Sequence, residues 1–286
     1  MVQALNTNLP KLNILVAYPY FTKELIKLIA GFEEKYPGVM RLFVDSGAFT
    51  AHTTGKVITL DDYCNFINKL PVKPWRYFAL DVIGNEVKTI SNLKEMYNRG
   101  LKPVPVYTFN QDPEDIEYYY TLNDFIGYGG LVGQKQSATV KHGIDKVLRI
   151  ANGRKVHLLG YTSMPWIKKF KPYSCDSSSY SSAQRYGDIS LYMGNGIMKK
   201  LDRKSIQTKP NEIILSKIKS LGYKPSDLTD KEQWKGGKSI ITRLTTSSWV
   251  KMSHECEKYI GTKIFLAVVP STCKTVLNCY ERLIRR

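Results

Sequence analysis

Arg41-Leu42-Phe43-Val44-Asp45-Ser46-Gly47-Ala48-Phe49 is the stretch that decides the fold. A short apolar run suited to a strand meets a carboxylate and then small, turn-forming residues. The pattern recurs. Tyr77-Phe78-Ala79-Leu80 runs into Asp81-Val82-Ile83-Gly84, and Pro172-Tyr173-Ser174-Cys175 into Asp176-Ser177-Ser178-Ser179. In α/β enzymes the chemistry collects at the C-terminal ends of parallel strands, so carboxylates at three strand ends predict one shared site.

Working outward, strands are expected at 12–18, 41–44, 77–80, 104–109, 125–128, 155–159, 172–175 and 263–269. Helical patterns fall at 22–36, 60–70, 85–99, 113–122, 211–221, 248–259 and 272–284. Thr59 is placed to cap the second of these, Gly100 to close the third, and Asp112 with Pro113 to open the fourth. Strands alternating with helices at this period imply a parallel sheet with right-handed crossovers. Carboxylates on several strand ends favour a closed (β/α)8, TIM-like barrel over an open sheet. Residues 1–185 are expected to carry the first seven strands and the catalytic face, and 245–286 the last helix, strand and helix. Between them, 186–244 reads as a basic insertion with a hairpin around Gly194-Asn195-Gly196, a candidate nucleic-acid clamp.

The 286 residues carry 42 Lys and Arg against 25 Asp and Glu, a net charge of +17. Lys168, Lys169, Lys171, Lys199, Lys200, Arg203, Lys235 and Lys238 hold much of the excess, all in the second half. They are interleaved with Phe170, Tyr173, Tyr180, Tyr186 and Trp234, which suits a nucleic-acid surface better than a merely solubilising one. Five scattered cysteines fit a reducing compartment. His254, Cys256, Cys273 and Cys279 offer zinc-ligand types without a Cys-x-x-Cys pair, so no metal is expected. No apolar run has membrane-spanning length, and Met1-Val2-Gln3-Ala4-Leu5-Asn6 lacks a secretory pattern, so the expected location is cytoplasmic.

The loop residues suit a flat ligand. Gly47 and Ala48 leave room beside Asp45 and Ser46, Phe49 can stack on a ring, and Asp81 can accept from the N–H edge of a purine. Gly129-Gly130-Leu131 offers backbone N–H groups to a ring carbonyl, Leu159-Gly160 an apolar face, and Asp176 a carboxylate to the sugar. Each has a plainer reading. Strand-end aspartates often cap helices, paired glycines often just turn, and Phe49 and Leu159 can be core. Cys175 is a rival nucleophile, and His52 an ordinary surface histidine.

In this order, DSGAF (45–49), ALDV (79–82), YGGLVG (128–133), HLLGYT (157–162) and SCDSSS (174–179) resemble the queuine and archaeosine tRNA-guanine transglycosylases. The resemblance spans about Arg41 to Ser179. It departs in lacking the family's cysteine-rich zinc site, in Ala48 for the turn's second glycine, and in a strand glutamine missing or shifted to Tyr107 or Gln111. A zinc-less, basic chain looks more like the phage branch that inserts 7-deazaguanine derivatives into DNA, in the host cytoplasm. The resemblance implies Asp176 as nucleophile on C1′ and Asp45 as proton-handling partner. It also implies Asp81 as the purine-edge acceptor, Gly130 and Leu131 as carbonyl donors, and Phe49 with Leu159 as a ring sandwich. The implied partners are guanine sites in DNA and a free, preQ0-like 7-deazaguanine, with no cofactor. The alternatives are a tRNA-guanine transglycosylase without its zinc module and a non-catalytic basic DNA-binding protein on a barrel scaffold.

Overall fold

The first strand, β1 (Leu12–Ala17), is buried along its whole length, as a strand covered on both faces must be. On one side it pairs with β2 (Met40–Asp45), and on the other with β10 (Lys263–Ala267). A computed structural model describes residues 8–109, 111–131, 138–181, 187–201, 211–234 and 239–285. Its main sheet adds β3 (Arg76–Tyr77), β4 (Val106–Tyr107), β5 (Phe125–Tyr128), β6 (Lys155–Leu158) and β7 (Ser174–Ser177). The order is β3-β2-β1-β10-β7-β6-β5-β4, with every pair parallel. The sheet is strongly curled. Its two ends approach at a parallel bridge between Phe78 and Val104, where Ala79 N–H donates to the Val104 carbonyl (2.9 Å) and Val104 N–H to that of Tyr77 (2.8 Å).

Helices cover the convex side: α1 (Lys23–Lys35), α2 (Ala48–Thr54), α3 (Leu60–Lys69), α4 (Glu86–Asn98), α5 (Glu114–Leu122), α6 (Ala138–Ala151) and α7 (Met164–Phe170) precede strands of the sheet. Side-chain caps start several: Thr22 accepts from Leu25 N–H, Thr59 from Asp62 N–H, and Asn85 from Lys88 N–H. Of these helices, α2, α6 and α7 have no counterpart in the sequence reading. Alternation divides the core. Ile14, Val16, Leu42, Val44, Ile126, Val156 and Leu266 face the helices, while Leu15, Phe43, Phe78, Val104, Val106, Phe125 and Phe265 fill the concave side. Gly127 makes that filling possible, because a Cβ there would lie 2.7 Å from Phe78 Cε1 and 2.9 Å from Leu159 Cδ1.

A smaller antiparallel hairpin, β8 (Ile189–Gly194) and β9 (Ile197–Leu201), turns at Gly194-Asn195-Gly196 with all three residues at positive φ. Together with α8 (Glu212–Ser220) and the start of α9 (Ile240–Ile260) it encloses a second core, including Ile189, Leu191, Ile214, Ile218, Tyr223 and Leu244. Helix α9 begins at Ile240, capped by Ser239, rather than at Ser248. Its first turns carry hydroxyl residues, yet Thr245, Thr246, Ser247 and Ser248 are all buried, Thr245 and Ser247 against Ser190 and Tyr223 of the insertion, which hides the expected apolar stripe. After β10, α10 (Pro270–Ile284) returns along α1. No helix among the described residues is long and apolar enough to cross a membrane.

Candidate active site

Sequence reasoning put Asp176 in a loop after a strand over 172–175. The structure instead places it inside β7, with Ser174 two residues earlier on the same face. The carboxylate therefore points into the curled sheet and is nearly buried. One oxygen is held twice: Asp176 Oδ1 accepts from Gly160 N–H (2.6 Å) and lies 3.1 Å from His157 Nε2. His157 is fully buried among Phe43, Phe78, Phe125 and Phe265, and its Nδ1 lies 2.8 Å from Ser174 Oγ. A carboxylate only accepts, so the pair requires the ring proton on Nε2, while Ser174 can donate to Nδ1. No hydrogen bond to Asp176 Oδ2 is found among the described residues. Thr162 Oγ1 donates to the Asp176 backbone carbonyl at 2.6 Å, tying the β6–α7 loop to the strand.

Asp45 ends β2, and Asp81 lies three residues past the Phe78 bridge that follows β3. Ser46 links them, donating to Asp81 Oδ1 at 2.7 Å while accepting from Ala48 N–H at 3.3 Å. Gly47 adopts a left-handed φ of 78° and gives its N–H to Asp45 Oδ2 at 3.1 Å. Burial pushes the Asp45 carboxyl up to about 7, with repulsion from Asp81 and then Asp176 adding to it and the Gly47 and Ser46 amides opposing. Burial likewise raises Asp81, against the Ser46 hydroxyl. The Asp45 carboxyl thus feels both of the other carboxylates.

Gly160 and Ser46 prove to be supports for carboxylates, the first for Asp176 and the second for Asp81. Leu159 borders the concave apolar cluster, and Phe49 lies exposed on α2, beside the strand end. Tyr107 and Gly129 sit differently from their expected roles. The Tyr107 ring lies in the helix-facing layer against Tyr128, with its hydroxyl on the Gln111 carbonyl (2.9 Å). Gln111 is itself engaged by Thr108 and Tyr119. Gly129 N–H is taken by the Tyr107 carbonyl at 2.8 Å, and the Leu131 side chain is buried in the outer core. Gly130, at φ 78°, makes the turn between them. Cys175 faces the helices, opposite to Asp176, and burial pushes its thiol well up, which argues against a thiolate nucleophile.

A cavity of about 460 Å³ opens beside Asp81, walled by Ala48, His52, Ile58, Val82 and Asn92; neither Asp45 nor Asp176 lines it. Among the described residues, no three His, Cys, Asp or Glu side chains gather as metal ligands. The cysteines Cys256, Cys273 and Cys279 are buried and unpaired, and the His254 ring packs edge-on against Tyr280. Of the basic positions, Lys168 bonds the Asn195 carbonyl at the hairpin turn (2.7 Å), and Lys169 lies over the Phe170 ring. These and Lys171 end α7 just before β7 starts, hence toward the sheet edge opposite the carboxylates. Lys199 and Lys200 are exposed on β9. Arg203, Lys235 and Lys238 lie outside the described residues.

No protein-family model and no curated protein matches this chain.

His157 was missing from the sequence reading. Its signal was parity: His157 and Leu159 fall on one face of β6, as Ser174 and Asp176 do on β7.

Proposed function

We propose that this chain is a base-exchange glycosyltransferase that replaces guanine in DNA with a 7-deazaguanine through an aspartyl-glycosyl intermediate. One observation carries the reading. The Asp176 carboxylate is anchored through one oxygen by His157 and Gly160, beside a second carboxylate, Asp45, that titrates at about 7. We also read the curled sheet as a (β/α)8 barrel closing at Phe78 and Val104, which would set Asp45, Asp81 and Asp176 around one mouth.

The steps balance. Asp176 Oδ2 attacks C1′, the C1′–N9 bond breaks with its electron pair leaving on the base, and protonated Asp45 supplies the proton that guanine carries away. The incoming base then loses its N9 proton to Asp45, N9 attacks C1′, and the ester bond to Asp176 breaks, restoring both carboxyls. This is double displacement with a base rather than water as second acceptor. Asp81 would accept from the purine N–H edge and Phe49 would stack on the ring. The guanine would have to leave the helical stack to reach the mouth.

The test is incubation with a labelled 7-deazaguanine and, separately, duplex DNA, single-stranded DNA and tRNA. The reading expects label in DNA and a trapped adduct mapping to Asp176. Label in tRNA alone would replace DNA with tRNA as substrate. No label in either, with Asp176→Ala still binding DNA as the wild type does, would support the non-catalytic DNA-binding reading.

A further inference from the structure

Away from the carboxylates, a cleft of about 620 Å³ lies between α10 and the second core. Its floor is Tyr223, whose hydroxyl is fixed by Ser247 Oγ (2.8 Å) and the Arg243 carbonyl (3.1 Å). Two guanidinium groups flank that ring, Arg282 Cζ at 4.7 Å and Arg243 Cζ at 6.0 Å from its centroid. Arg282 Nη1 is held by the Gly222 carbonyl at 2.8 Å and Arg243 Nη2 by Gln233. Lys274 stands on the same α10 face as Arg282, with Ser271, Thr275 and Asn278. Their spacing puts these residues along one helical stripe.

Three cations therefore line one cleft, and none of the described residues lining it is a carboxylate. Elsewhere, surface arginines meet acids directly: Arg99 with Asp61 and Glu95, Arg154 with Glu117, and Arg41 with Glu257. Here they do not. Arg243 Nε is buried with no hydrogen-bond partner among the described residues, so the charge it helps carry is not neutralised locally. Planar guanidinium forks, an ammonium and short hydroxyl donors converging on one space match a tetrahedral oxyanion.

We propose that the Arg243–Lys274–Arg282 cleft is a binding site for a phosphate group. The inference goes beyond base exchange and does not depend on it. A phosphate reaches the cleft either within a nucleic-acid backbone or on a small phosphorylated molecule, and the two sources are separable.

The experiment compares the wild-type protein with Lys274→Gln/Arg282→Gln, both exposed positions, and with Arg243→Gln. A charge-matched control, Lys141→Gln/Lys146→Gln, removes two exposed lysines from α6. Two probes are used: a labelled oligothymidylate, which has no guanine to exchange, followed by anisotropy at several salt concentrations, and inorganic phosphate, followed by the shift in Tm against chloride at equal ionic strength. For a backbone phosphate, oligothymidylate affinity falls several-fold more in the cleft double variant than in the control. Its log–log salt slope also shallows by roughly 1 to 1.5, as expected for two lost contacts to a single strand. For a small phosphorylated ligand, oligothymidylate binding changes no more than in the control, but stabilisation by phosphate disappears in the cleft variant alone. Equal behaviour of the cleft and control variants on both probes overturns the site. Should Arg243→Gln fail to fold, the double variant alone decides. Loss of base exchange alone would bear on Asp176 and leave this inference untouched.

Discussion

Asp45 is a carboxyl that the folded chain holds against its own preference. Unfolded, it releases its proton near the ordinary value of 3.8; folded, it does so at about 7. Between those values the native state binds the extra proton, so its contribution makes stability fall as pH rises, and the penalty is complete above about 7. Asp45→Asn removes the charge while keeping the shape. We expect the variant to have a higher Tm than the wild type at pH 8, with the difference shrinking toward pH 4, as followed by thermal melts across that range. Base exchange should move in the opposite direction. Removing a general acid–base partner typically costs 10²- to 10⁴-fold, so labelled-base incorporation should fall to roughly a hundredth or less. His157 offers a second test. His157→Leu strips the Nε2–H donor from Asp176 Oδ1, leaving one buried oxygen with Gly160 alone. That should destabilise the protein by about 1–3 kcal/mol in denaturant titrations. It should also lower the rate of covalent adduct formation, whereas His157→Gln, which keeps an N–H donor, should recover part of both.

At the scale of the element, β5 shows how a strand is constrained by what crosses it. Gly127 faces the concave side between Phe78 and Leu159, and an added methyl would overlap both. Gly127→Ala should cost about 1–3 kcal/mol, the usual range for overpacking, read as a lower midpoint in urea with an unchanged m-value. The alternation of strand and helix was legible because several strands are short apolar runs ended by a carboxylate or glycine, as at Asp45, Gly129 and Gly160. Asp45 and Asp81 were legible for the same reason. Asp176 was recognised, but its strand was placed two residues too early. Asp176 looks like a loop residue until His157 and Gly160 supply its partners. Helix α6 starts directly after residues 132–137, and α9 buries hydroxyls where an apolar stripe was sought. The second escapes a reading based on hydrophobic period alone, whereas α6 does carry that period in Val140, Ile144, Val147 and Ala151. The roles of Gly129 and Tyr107 were hidden differently: local sequence does not say which carbonyl takes a given N–H.

The whole molecule is organised as a gradient along the sheet axis. Toward the strand starts, Trp75 stacks on Tyr173 and on Phe265, with Trp75 and Phe265 ring centroids 5.4 Å apart. At the strand ends the same interior becomes acidic. Holding those carboxylates together requires a rigid rim, and the rim is weakest where the end strands meet. There the main-chain bonds are few: Ala79 N–H to Val104, Val104 N–H to Tyr77, and the neighbouring Gly127 N–H to Pro105. An open, curled sheet would let these amides exchange through local fraying, since edge groups open at little cost. A closed barrel would tie them to global unfolding, because opening the seam would part Phe78 from His157 across the interior, where the ring centroids lie 5.4 Å apart. We therefore expect the amides of Ala79 and Val104 to exchange with the same free energy and denaturant dependence as amides in the centre of β1 and β10. Exchange several kcal/mol faster at the seam than in β1 would show the sheet to be open, and Asp81 would then sit on a mobile edge rather than on a fixed rim opposite Asp176.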